Sequence, residues 1–402
     1  MVELHIGDAA DAGFCRARIE DDELAGDTIR MQGKNVANFG LCSYMGLALD
    51  ERIKQGAIDA ITRYGSVYSS SAVYTSVGLF EDLEDRLRRI FEAPVSVAAT
   101  TTLGHLAILP MVVTPDDRIV IDVQTHATVH MAVEILKARG HEPIIVSHND
   151  MDALEAAVER VEGEARRVWY LADGVYSMFG DVAPVEEIAA IQARHESMWV
   201  YFDDAHGLGW QGANGRGHVL GHIPMNDRMI VTASMSKGFG AGGAVVVMPD
   251  EAMVRRLHLT GSTFAFSGPM YPAEIGAAVA AADILLSPEH DVMRARMRDQ
   301  IDLIRRLLVE HQLPVLSLAT SPIWFVRIGS HDRVIELNRR LLADGYYANP
   351  SAFPAVPVRS GGIRFTNTLY HSDEQIIGLI ESLARHVPDL VEPSAVAVNL
   401  PA

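Results

Sequence analysis

Cysteine is nearly absent from this sequence, since Cys15 and Cys42 are the only two among 402 residues. So few cysteines exclude a disulfide framework and are typical of a reducing compartment. The N-terminal stretch MVELHIGDAADAG also carries acids where a secretory signal would carry basic residues. We therefore expect the protein to remain in the cytoplasm.

Basic residues and long apolar runs are scarce as well. The 34 lysines and arginines are outnumbered by 52 acids, which gives a formal charge of −18. Because binding to a phosphate backbone needs clustered basic residues, we expect no nucleic-acid partner. No apolar run approaches the ~20 residues that cross a bilayer, so we also expect no membrane span. What the chain does have is 49% hydrophobic residues, enough for a large buried core.

Short apolar runs alternate with helical segments from Val95 onwards. The runs VSVAA, RIVID, PIIVS, VWYLA, WVYF and MIV predict a parallel sheet with right-handed crossovers. After Pro249 helices dominate, and PVLSL, PIWFVRI and GGIRFT are predicted strands. We predict an α/β fold with an N-terminal arm (1–44), a large parallel or mixed sheet domain (45–288) and a smaller α+β C-terminal domain (289–402).

Polar residues follow the two predicted strands between Trp199 and Gly243. Asp203 and His206 come after WVYF, and Ser234 and Lys237 come after MIV. Ligands bind at the carboxyl ends of strands in open α/β sheets. A lysine between a strand and a glycine cluster, with an acid on a nearby strand, suits a Schiff-base cofactor whose ring nitrogen needs an anionic partner.

Three other motifs overlap this region, and each lacks a necessary element. GFGAGG matches G-x-G-x-x-G, but its glycines lead into a predicted strand instead of a helix. Ser234 and Lys237 match S-x-x-K, but the companion S-D-N and K-T-G elements are missing. His126 and His130 are spaced like a zinc pair without the glutamate of H-E-x-x-H or a third ligand, so we predict no metal.

Two hydroxyl-rich stretches each allow two interpretations. Thr100–Thr102 precedes a predicted helix and either caps that helix or offers hydroxyl and N–H groups to a phosphate. The run SVYSSSAVY (66–74) is either a solvated loop or the lip of a substrate pocket.

Seven motifs in order make the chain similar to the α-oxoamine synthases, fold-type I pyridoxal-phosphate enzymes that join an amino acid to an acyl thioester with loss of CO2. The motifs are NFGLCSYMGL, IDVQTHATVHMA, DGVYSMFGDVAPVEE, YFDDAHGLGWQGANGRG, TASMSKGFGAGG, FAFSGPMYP and YYANPSAFPAVPVRSGGIRFTNTLYH. The resemblance runs from about Asn38 to His371. Within the family, the residues of VTASMSK and QGANGRG are more similar to those of synthases that make aminoketone signals or specialised metabolites than to those of biotin-pathway or haem-pathway members.

The resemblance implies a role for each residue of the cofactor site. Lys237 would bind pyridoxal phosphate as a Schiff base and act as the base at Cα, and Asp203 would contact the ring nitrogen. His206 would hydrogen-bond the phenolic oxygen, and His126 would stack on the ring. The hydroxyl residues implied around the cofactor and its phosphate are Thr101, Thr102, Ser177, Ser234 and Ser267. Because the segment with Ser267 reaches the other subunit's phosphate in this family, the resemblance implies a homodimer with shared active sites.

The substrate side departs from the family pattern. Arg364 corresponds to the arginine that binds the amino-acid carboxylate, whereas Arg359 is a weaker candidate in the preceding turn. Ser71 and Tyr74 are expected to bind substrate, but here SVYSSSAVY replaces a glycine-serine-rich loop and its arginine. Phe80 replaces a histidine. These departures leave open the amino acid, the acyl length, and whether coenzyme A or an acyl carrier protein bears the thioester.

Two other functions compete with this one. One is a different fold-type I reaction, such as an aminotransferase or aldolase, and the other is a non-catalytic partner subunit. The stacking position of His126 and the length of the match favour the synthase. Retention of Lys237 and Asp203 argues against a non-catalytic subunit.

Overall fold

The computed structural model describes residues 7, 10–353 and 355–393, which form two compact units. The large unit comprises Leu47–Tyr176 and Val182–Arg294. The small unit comprises Met1–Gly46, Ser177–Asp181 and Ala295–Ala402. Within the described ranges, no helix is both long enough and apolar enough to span a membrane.

Strands and helices alternate through the first two thirds of the chain. The strands are β1 (Thr28–Met31), β2 (Lys34–Asn38), β3 (Val95–Ala98), β4 (Arg118–Asp122), β5 (Ile144–Val146), β6 (Val168–Asp173), β7 (Met198–Asp203), β8 (Met229–Ser234), β9 (Ala244–Val247), β10 (Ile323–Gly329), β11 (Tyr346–Tyr347), β12 (Asn349–Ser351) and β13 (Gly361–Thr366). The helices are α1 (Glu51–Tyr64), α2 (Leu79–Phe91), α3 (Thr101–Val112), α4 (Ala127–Ala138), α5 (Met151–Glu162), α6 (Val185–Arg194), α7 (Val219–His222), α8 (Glu251–Thr260), α9 (Ser262–Phe266), α10 (Pro272–Leu285), α11 (Pro288–Glu310), α12 (His331–Ala343) and α13 (Asp373–Leu390).

The large unit is built on a seven-stranded sheet in the order β3-β9-β8-β7-β6-β4-β5. Strands β4 to β8 are mutually parallel, and β9 runs antiparallel to both β3 and β8. The carboxyl ends of β3 to β8 therefore lie on one edge of the sheet. The glycine run before β9 leads directly into that strand, as predicted, which is not the strand-to-helix setting of a dinucleotide site.

Every residue of β6 and β8 is buried, which explains why these strands are nearly continuous apolar runs. One face packs against α3 and α4 through Ile108, Val112 and Val133. Burial of each such side chain stabilises the fold by roughly 1.5–3 kcal/mol relative to leaving it exposed. The sheet is thus a rigid base for the polar residues at its carboxyl edge.

The small unit contains two three-stranded sheets, in the orders β1-β2-β11 and β10-β13-β12. The predicted strands PIWFVRI and GGIRFT form β10 and β13, which pair antiparallel. The prediction of a strand at PVLSL was wrong, because only Val315 forms a bridge, to Val326. Pro314 at its start has no N–H to donate to a ladder. Helix α13 begins where the sequence predicts, with Ser372 as its N-cap.

Candidate active site

Two aspartates end neighbouring strands at the carboxyl edge of the large sheet. Asp173 ends β6 and lies directly opposite Asp203, which ends β7. Both are buried. Asp173 Oδ1 accepts a hydrogen bond of 3.1 Å from the His126 backbone N–H, and burial together with the Asp203 charge raises the pKa of Asp173 well above its usual value. At neutral pH the pair therefore carries its negative charge on Asp203.

Asp203 stays ionised because of its neighbours. Burial alone would raise its pKa, but His105, Lys237 and His126 hold the pKa of this carboxyl below its ordinary value. Oδ2 lies 3.0 Å from His105 Nε2, and Oδ1 accepts a hydrogen bond of 3.1 Å from the Ala205 N–H. The result is a buried, oriented anion.

Lys237 lies in the turn that follows β8. The turn is closed by the Gly240 N–H, which donates to Lys237 O at 3.1 Å, and by the Met235 N–H, which donates to Gly243 O at 3.0 Å. At the start of the turn, Ser234 Oγ lies 2.8 Å from Ser236 Oγ.

A close approach of two backbones joins this turn to the loop after β7. Gly209 has a φ of +99°, and a Cβ atom there would clash with the backbone of Gly238. A Cβ atom on Gly238 would in turn clash with Leu208 O. Only glycine at both positions lets the loop that carries His206 pack against the turn that carries Lys237. His206 is itself buried.

His126 lies between β4 and α4. Its Nδ1 lies 2.7 Å from Thr128 Oγ1, which orients the ring. Although the side chain is exposed overall, its pKa is lowered, first by lost water contacts and then by the Lys237 charge. His126, Asp203 and Lys237 are thus close enough for their charges to influence one another.

Asp204 lies in quite different surroundings from Asp203. Its Oδ2 accepts a hydrogen bond of 3.0 Å from the Val219 N–H, which ties the loop after β7 to α7. Complete burial, only partly offset by backbone hydrogen bonds, raises the pKa of this carboxyl to about 8. Asp204 is therefore mostly protonated at neutral pH.

The predicted phosphate residues lie at two helix ends of the large unit. Thr100 is the N-cap of α3, with Oγ1 accepting from the Leu103 N–H at 3.1 Å, so Thr101 and Thr102 form the first turn. Ser267 is the C-cap of α9. The two interpretations of the three threonines are thus compatible, because Thr100 caps the helix while Thr101 and Thr102 remain candidates for the phosphate.

The loop 66–74 is tied to α9 but is largely open to solvent. Ser71 Oγ donates a hydrogen bond of 2.8 Å to Ala265 O. Tyr74 is 83% exposed and Phe266 is 92% exposed. Ser71 therefore has an anchoring contact, whereas the Tyr74 ring packs against little of the described chain.

A cavity of about 250 Å³ lies beside this loop. Its described lining combines aromatic and small side chains with two acids, Glu81 and Glu84, and contains no lysine or arginine. It shares Phe80 and Phe264 with a smaller pocket that reaches Ala99 and Leu103, next to the N-terminus of α3. Burial raises the pKa of Glu84 to about 7 despite the nearby Arg88.

The remaining predicted residues, Ser177 and Arg364, lie together in the small unit. Arg364 is buried on β13, and its Nε donates a hydrogen bond of 2.7 Å to Ser177 O. Its Nη2 lies 3.8 Å from Cys42 Sγ. Within the described part of the chain, Arg364 has no carboxylate partner.

Sequence reasoning missed His105, which contacts Asp203 from α3. In the apolar segment TTLGHLAILPMV, a single histidine is typical of a core residue. The available signal was the presence of one titratable side chain in an otherwise apolar helix, since such groups are buried only with a partner.

Comparison with known proteins identifies the family of this chain. The family model for aminotransferase class I and II matches residues 47–383. The chain is 31% identical to 8-amino-7-oxononanoate synthase of Symbiobacterium thermophilum, over 88% of this chain and 89% of that one. It is 27% identical to serine palmitoyltransferase of Sphingobacterium spiritivorum, over 89% and 88% of the two chains. The solved serine palmitoyltransferase of Sphingomonas wittichii shares the fold, with a TM-score of 0.86 at 23% identity over 97% of both chains.

The chain is an α-oxoamine synthase of the aminotransferase class I and II family. As an α-oxoamine synthase it is a pyridoxal-phosphate-dependent C-acyltransferase, which condenses an amino acid with an acyl thioester and releases CO2. The relatives carry two different names, so membership of the family does not decide which substrates this synthase uses.

The carboxyl edge of the synthase fits pyridoxal phosphate. A buried carboxylate that its neighbours keep ionised is the partner that a protonated pyridine nitrogen requires. Lys237, the amine that could hold the cofactor covalently, lies within electrostatic reach of that carboxylate. The α3 N-terminus, with Thr101 and Thr102 in its first turn, offers the N–H and hydroxyl groups that suit a phosphate.

Proposed function

We propose that this synthase joins an amino acid to a neutral acyl group, with Lys237, Asp203 and His126 as its central catalytic residues. The observation that carries the proposal is the group formed by these three residues at one edge of the sheet: Lys237 follows β8, Asp203 ends β7 and His126 follows β4. The charges of Lys237 and His126 both act on the Asp203 carboxyl. Bound pyridoxal phosphate supplies a ring that accepts the electron pair left at the substrate Cα.

Lys237 and Asp203 divide the proton handling. The Lys237 amine holds the cofactor at rest and, once substrate has displaced it, takes the Cα proton. The ionised Asp203 carboxylate holds a proton on the ring nitrogen, because separating that ion pair in a buried site costs more than keeping it. The charge of Asp203 is what the site needs, and His105 and Lys237 maintain it.

His126 and His206 orient the ring. The lowered pKa of His126 keeps its imidazole neutral near pH 7, and a neutral ring stacks on a cationic one without charge repulsion. His206 follows β7 and would donate to the phenolic oxygen. The hydroxyl groups we propose around the cofactor and its phosphate are those of Thr101, Thr102, Ser177, Ser234 and Ser267.

Arg364 is the residue that we propose for the substrate α-carboxylate. It is buried and has no acidic partner among the described residues, although buried charges in proteins are normally paired. A guanidinium binds a carboxylate through two parallel hydrogen bonds, which fixes the substrate around its Cα. The bond from Ser177 O to Nε leaves other guanidinium N–H groups for this contact.

The chemistry of the cavity beside the loop 66–74 supports a neutral acyl group. Tyr68, Phe80 and Phe264 supply apolar surface, while Glu81 and the ionised fraction of Glu84 would repel an acyl group that ends in a carboxylate. Arg88, which lies 3.4 Å from Glu84, is also held by Asp85 at 2.9 Å. We propose that Ser71 and Tyr74 border the acyl path.

A competition between acyl thioesters tests the proposal. Purified enzyme receives a panel of amino acids with neutral acyl thioesters or with thioesters of equal length that end in a carboxylate, and mass spectrometry follows the aminoketone. We expect the neutral series to have a kcat/KM at least about tenfold higher, equivalent to about 1.4 kcal/mol. Preference of the parent enzyme for the carboxylated series would overturn the acyl assignment.

A matched pair of variants then tests whether the cavity makes this choice. Glu84→Gln removes an ionisable carboxyl that lines the cavity, whereas Asp85→Asn removes one on the exposed side of the same helix. We expect only Glu84→Gln to improve the relative use of carboxylated thioesters. An equal change in both variants would indicate a general charge effect.

We also propose a homodimer with shared active sites in the cytoplasm, with an acyl carrier protein as a possible donor of the thioester. The exposed apolar side chains of Val73, Tyr74 and Phe266 lie on two segments that the Ser71–Ala265 bond ties together. Exposed apolar groups of this kind mark interaction surfaces. Ser267 directly follows Phe266, so contact with a second copy there would bring a proposed phosphate residue to the interface.

A further inference from the structure

A chain of four buried polar side chains lies behind the carboxyl edge of the large sheet. Thr232 Oγ1 lies 2.8 Å from the Tyr201 hydroxyl, which lies 2.6 Å from His105 Nδ1. His105 Nε2 in turn lies 3.0 Å from Asp203 Oδ2. The side chain of Asp203 is 5% exposed, and Thr232, Tyr201 and His105 have no exposed surface. We call these four residues the Asp203 relay.

Three secondary-structure elements build the Asp203 relay. Tyr201 and Asp203 are two residues apart on β7, so their side chains point to the same face of the sheet. Thr232 lies beside Asp203 on β8, and His105 comes from α3, which packs on that face. The His105 and Tyr201 rings meet edge to face, with centroids 5.7 Å apart.

The direction of donation follows from the charge of Asp203. An ionised carboxylate only accepts, so His105 must donate from Nε2. With neutral His105, Nδ1 then accepts from the Tyr201 hydroxyl, whose oxygen accepts from Thr232. Each contact of the Asp203 relay then has one donor and one acceptor, with a His105 proton on Nε2.

We infer that His105 is a positioning residue, which holds Asp203 ionised and oriented, and that Tyr201 and Thr232 hold the His105 ring in place through its Nδ1. The inference rests on the proposed contact of Asp203 with the cofactor ring nitrogen. Without a donor at Oδ2, a carboxyl group buried this deeply would bind a proton more readily. A neutral Asp203 could no longer hold the ring nitrogen protonated, and its oxygens could rotate.

Other ionisable groups also face Asp203, and the test has to separate them from His105. They are Lys237 after β8, His126 before α4, Asp173 on β6 and Asp204 on the chain next to it. These groups are the same in every variant of His105. A change in pH dependence that appears only when both His105 and Asp203 are present can therefore be assigned to the contact between them.

Two substitutions of His105 distinguish the effect of its N–H donor from the effect of its side-chain volume. His105→Gln retains an N–H donor that can reach Asp203, whereas His105→Leu fills similar space without one. In full-length apoenzyme, His105→Leu should raise the pKa of Asp203, so that folding takes up a proton. The thermal midpoint of His105→Leu should therefore fall further below that of the parent as pH rises from about 4 to about 7, the interval above the usual aspartate pKa.

The same His105 substitution in Asp203→Asn protein tests whether its pH-dependent effect requires Asp203. In Asp203→Asn protein, the side chain at position 203 can no longer titrate and the neighbouring acids are the same with and without His105→Leu, so this substitution should lower the thermal midpoint equally at every pH. His105→Gln should follow the parent profile in the normal background. A pH-independent loss of equal size for His105→Leu with and without Asp203→Asn would overturn the inference, because a packing role alone predicts that result.

Loaded enzyme gives the functional readout and separates the two proposals. We expect His105→Leu to lower kcat roughly 10- to 100-fold, the range typical of residues that orient a catalytic ligand, with rescue by His105→Gln. If Asp203 does not contact the cofactor, the apoenzyme coupling will persist while kcat is unchanged, and only the proposed function fails. If the coupling is absent, the inference on His105 fails whatever the activity.

Discussion

Asp203 and Asp204 are adjacent in the sequence, but their carboxyl groups have opposite properties. Asp203 is ionised and contacts His105 and the Ala205 N–H. Asp204 is completely buried with a pKa raised to about 8, and it anchors the backbone at Val219. The difference arises because a charged neighbour faces Asp203, whereas Asp204 has only backbone N–H groups.

This contrast predicts unequal effects of the same substitution. Asp203→Asn should slow exchange of the substrate Cα proton by several orders of magnitude, because an amide does not hold the ring nitrogen protonated. Asp204→Asn keeps a carbonyl oxygen for Val219 and should change that rate little. NMR detection of deuterium incorporation at Cα measures both variants, and equal losses would mean that the wrong acid is assigned to the cofactor.

Arg364 and Arg359 form a second matched pair. Arg364→Lys should weaken amino-acid binding by roughly 1.5–3 kcal/mol, the scale of a charged hydrogen bond, because lysine cannot form the two parallel contacts. Arg359 is exposed with a φ of +65° and serves as the control, since Arg359→Lys should bind normally.

Titration calorimetry with amino acids and with amines that lack the carboxylate distinguishes the outcomes for Arg364. Carboxylate-free amines should bind the parent and Arg364→Lys about equally. If Arg364→Lys still prefers the amino acid to the amine as strongly as the parent does, the carboxylate is bound elsewhere.

At the scale of elements, Asp204 makes the loop between β7 and α7 sensitive to pH. Its pKa of about 8 in the folded chain exceeds the usual value of about 4, so the folded state binds a proton that the unfolded state releases. This contribution to stability is complete below about pH 4 and is lost as pH rises toward about 8. The free energy of unfolding should therefore fall across that interval.

Asp204→Asn should remove this pH dependence. We expect its thermal midpoint to gain on that of the parent as pH rises from 4 to 8, in circular-dichroism melts. Asp227→Asn, at an acid whose side chain is 92% exposed, should melt in parallel with the parent at all pH values. A constant difference between Asp204→Asn and the parent would show that Asp204 titrates normally.

The sequence predicted most of the elements that position the site. Apolar runs such as VWYLA and MIV identify β6 and β8 because both faces of these strands are buried, and the residues after them lie at the carboxyl edge. The capping residue Ser372 marks the start of α13 for a similarly local reason.

Features that depend on distant contacts were not predictable. The role that we infer for His105 depends on its contact with Asp203, which lies 98 residues later in the chain. PVLSL has the composition of a strand, but only Val315 pairs with another residue. A strand forms only beside a partner strand, and Pro314 has no N–H to donate to one. The packing of the loop 66–74 beside α9 was likewise not predictable, because it depends on the hydrogen bond from Ser71 to Ala265, which is distant in sequence.

At the scale of the whole molecule, the exposed apolar residues predict an oligomer. Phe266→Glu should convert the proposed dimer to monomer, because it puts a charge in place of a 92% exposed phenylalanine that we propose to bury against a second copy. Light scattering after size-exclusion chromatography measures the mass, and activity should fall with it. Ile145→Glu changes a 63% exposed residue on β5, at the other edge of the sheet from β3, and should remain dimeric.

Lys237 is the residue through which we propose that this α-oxoamine synthase binds its cofactor covalently. Borohydride reduction of the purified holoenzyme, followed by tryptic digestion and mass spectrometry, locates the attachment directly. We predict a phosphopyridoxyl group on the peptide that contains Lys237, and none in Lys237→Ala protein treated identically. Modification of any other lysine at comparable yield, or an unmodified Lys237 peptide from enzyme that holds stoichiometric cofactor, would contradict the account.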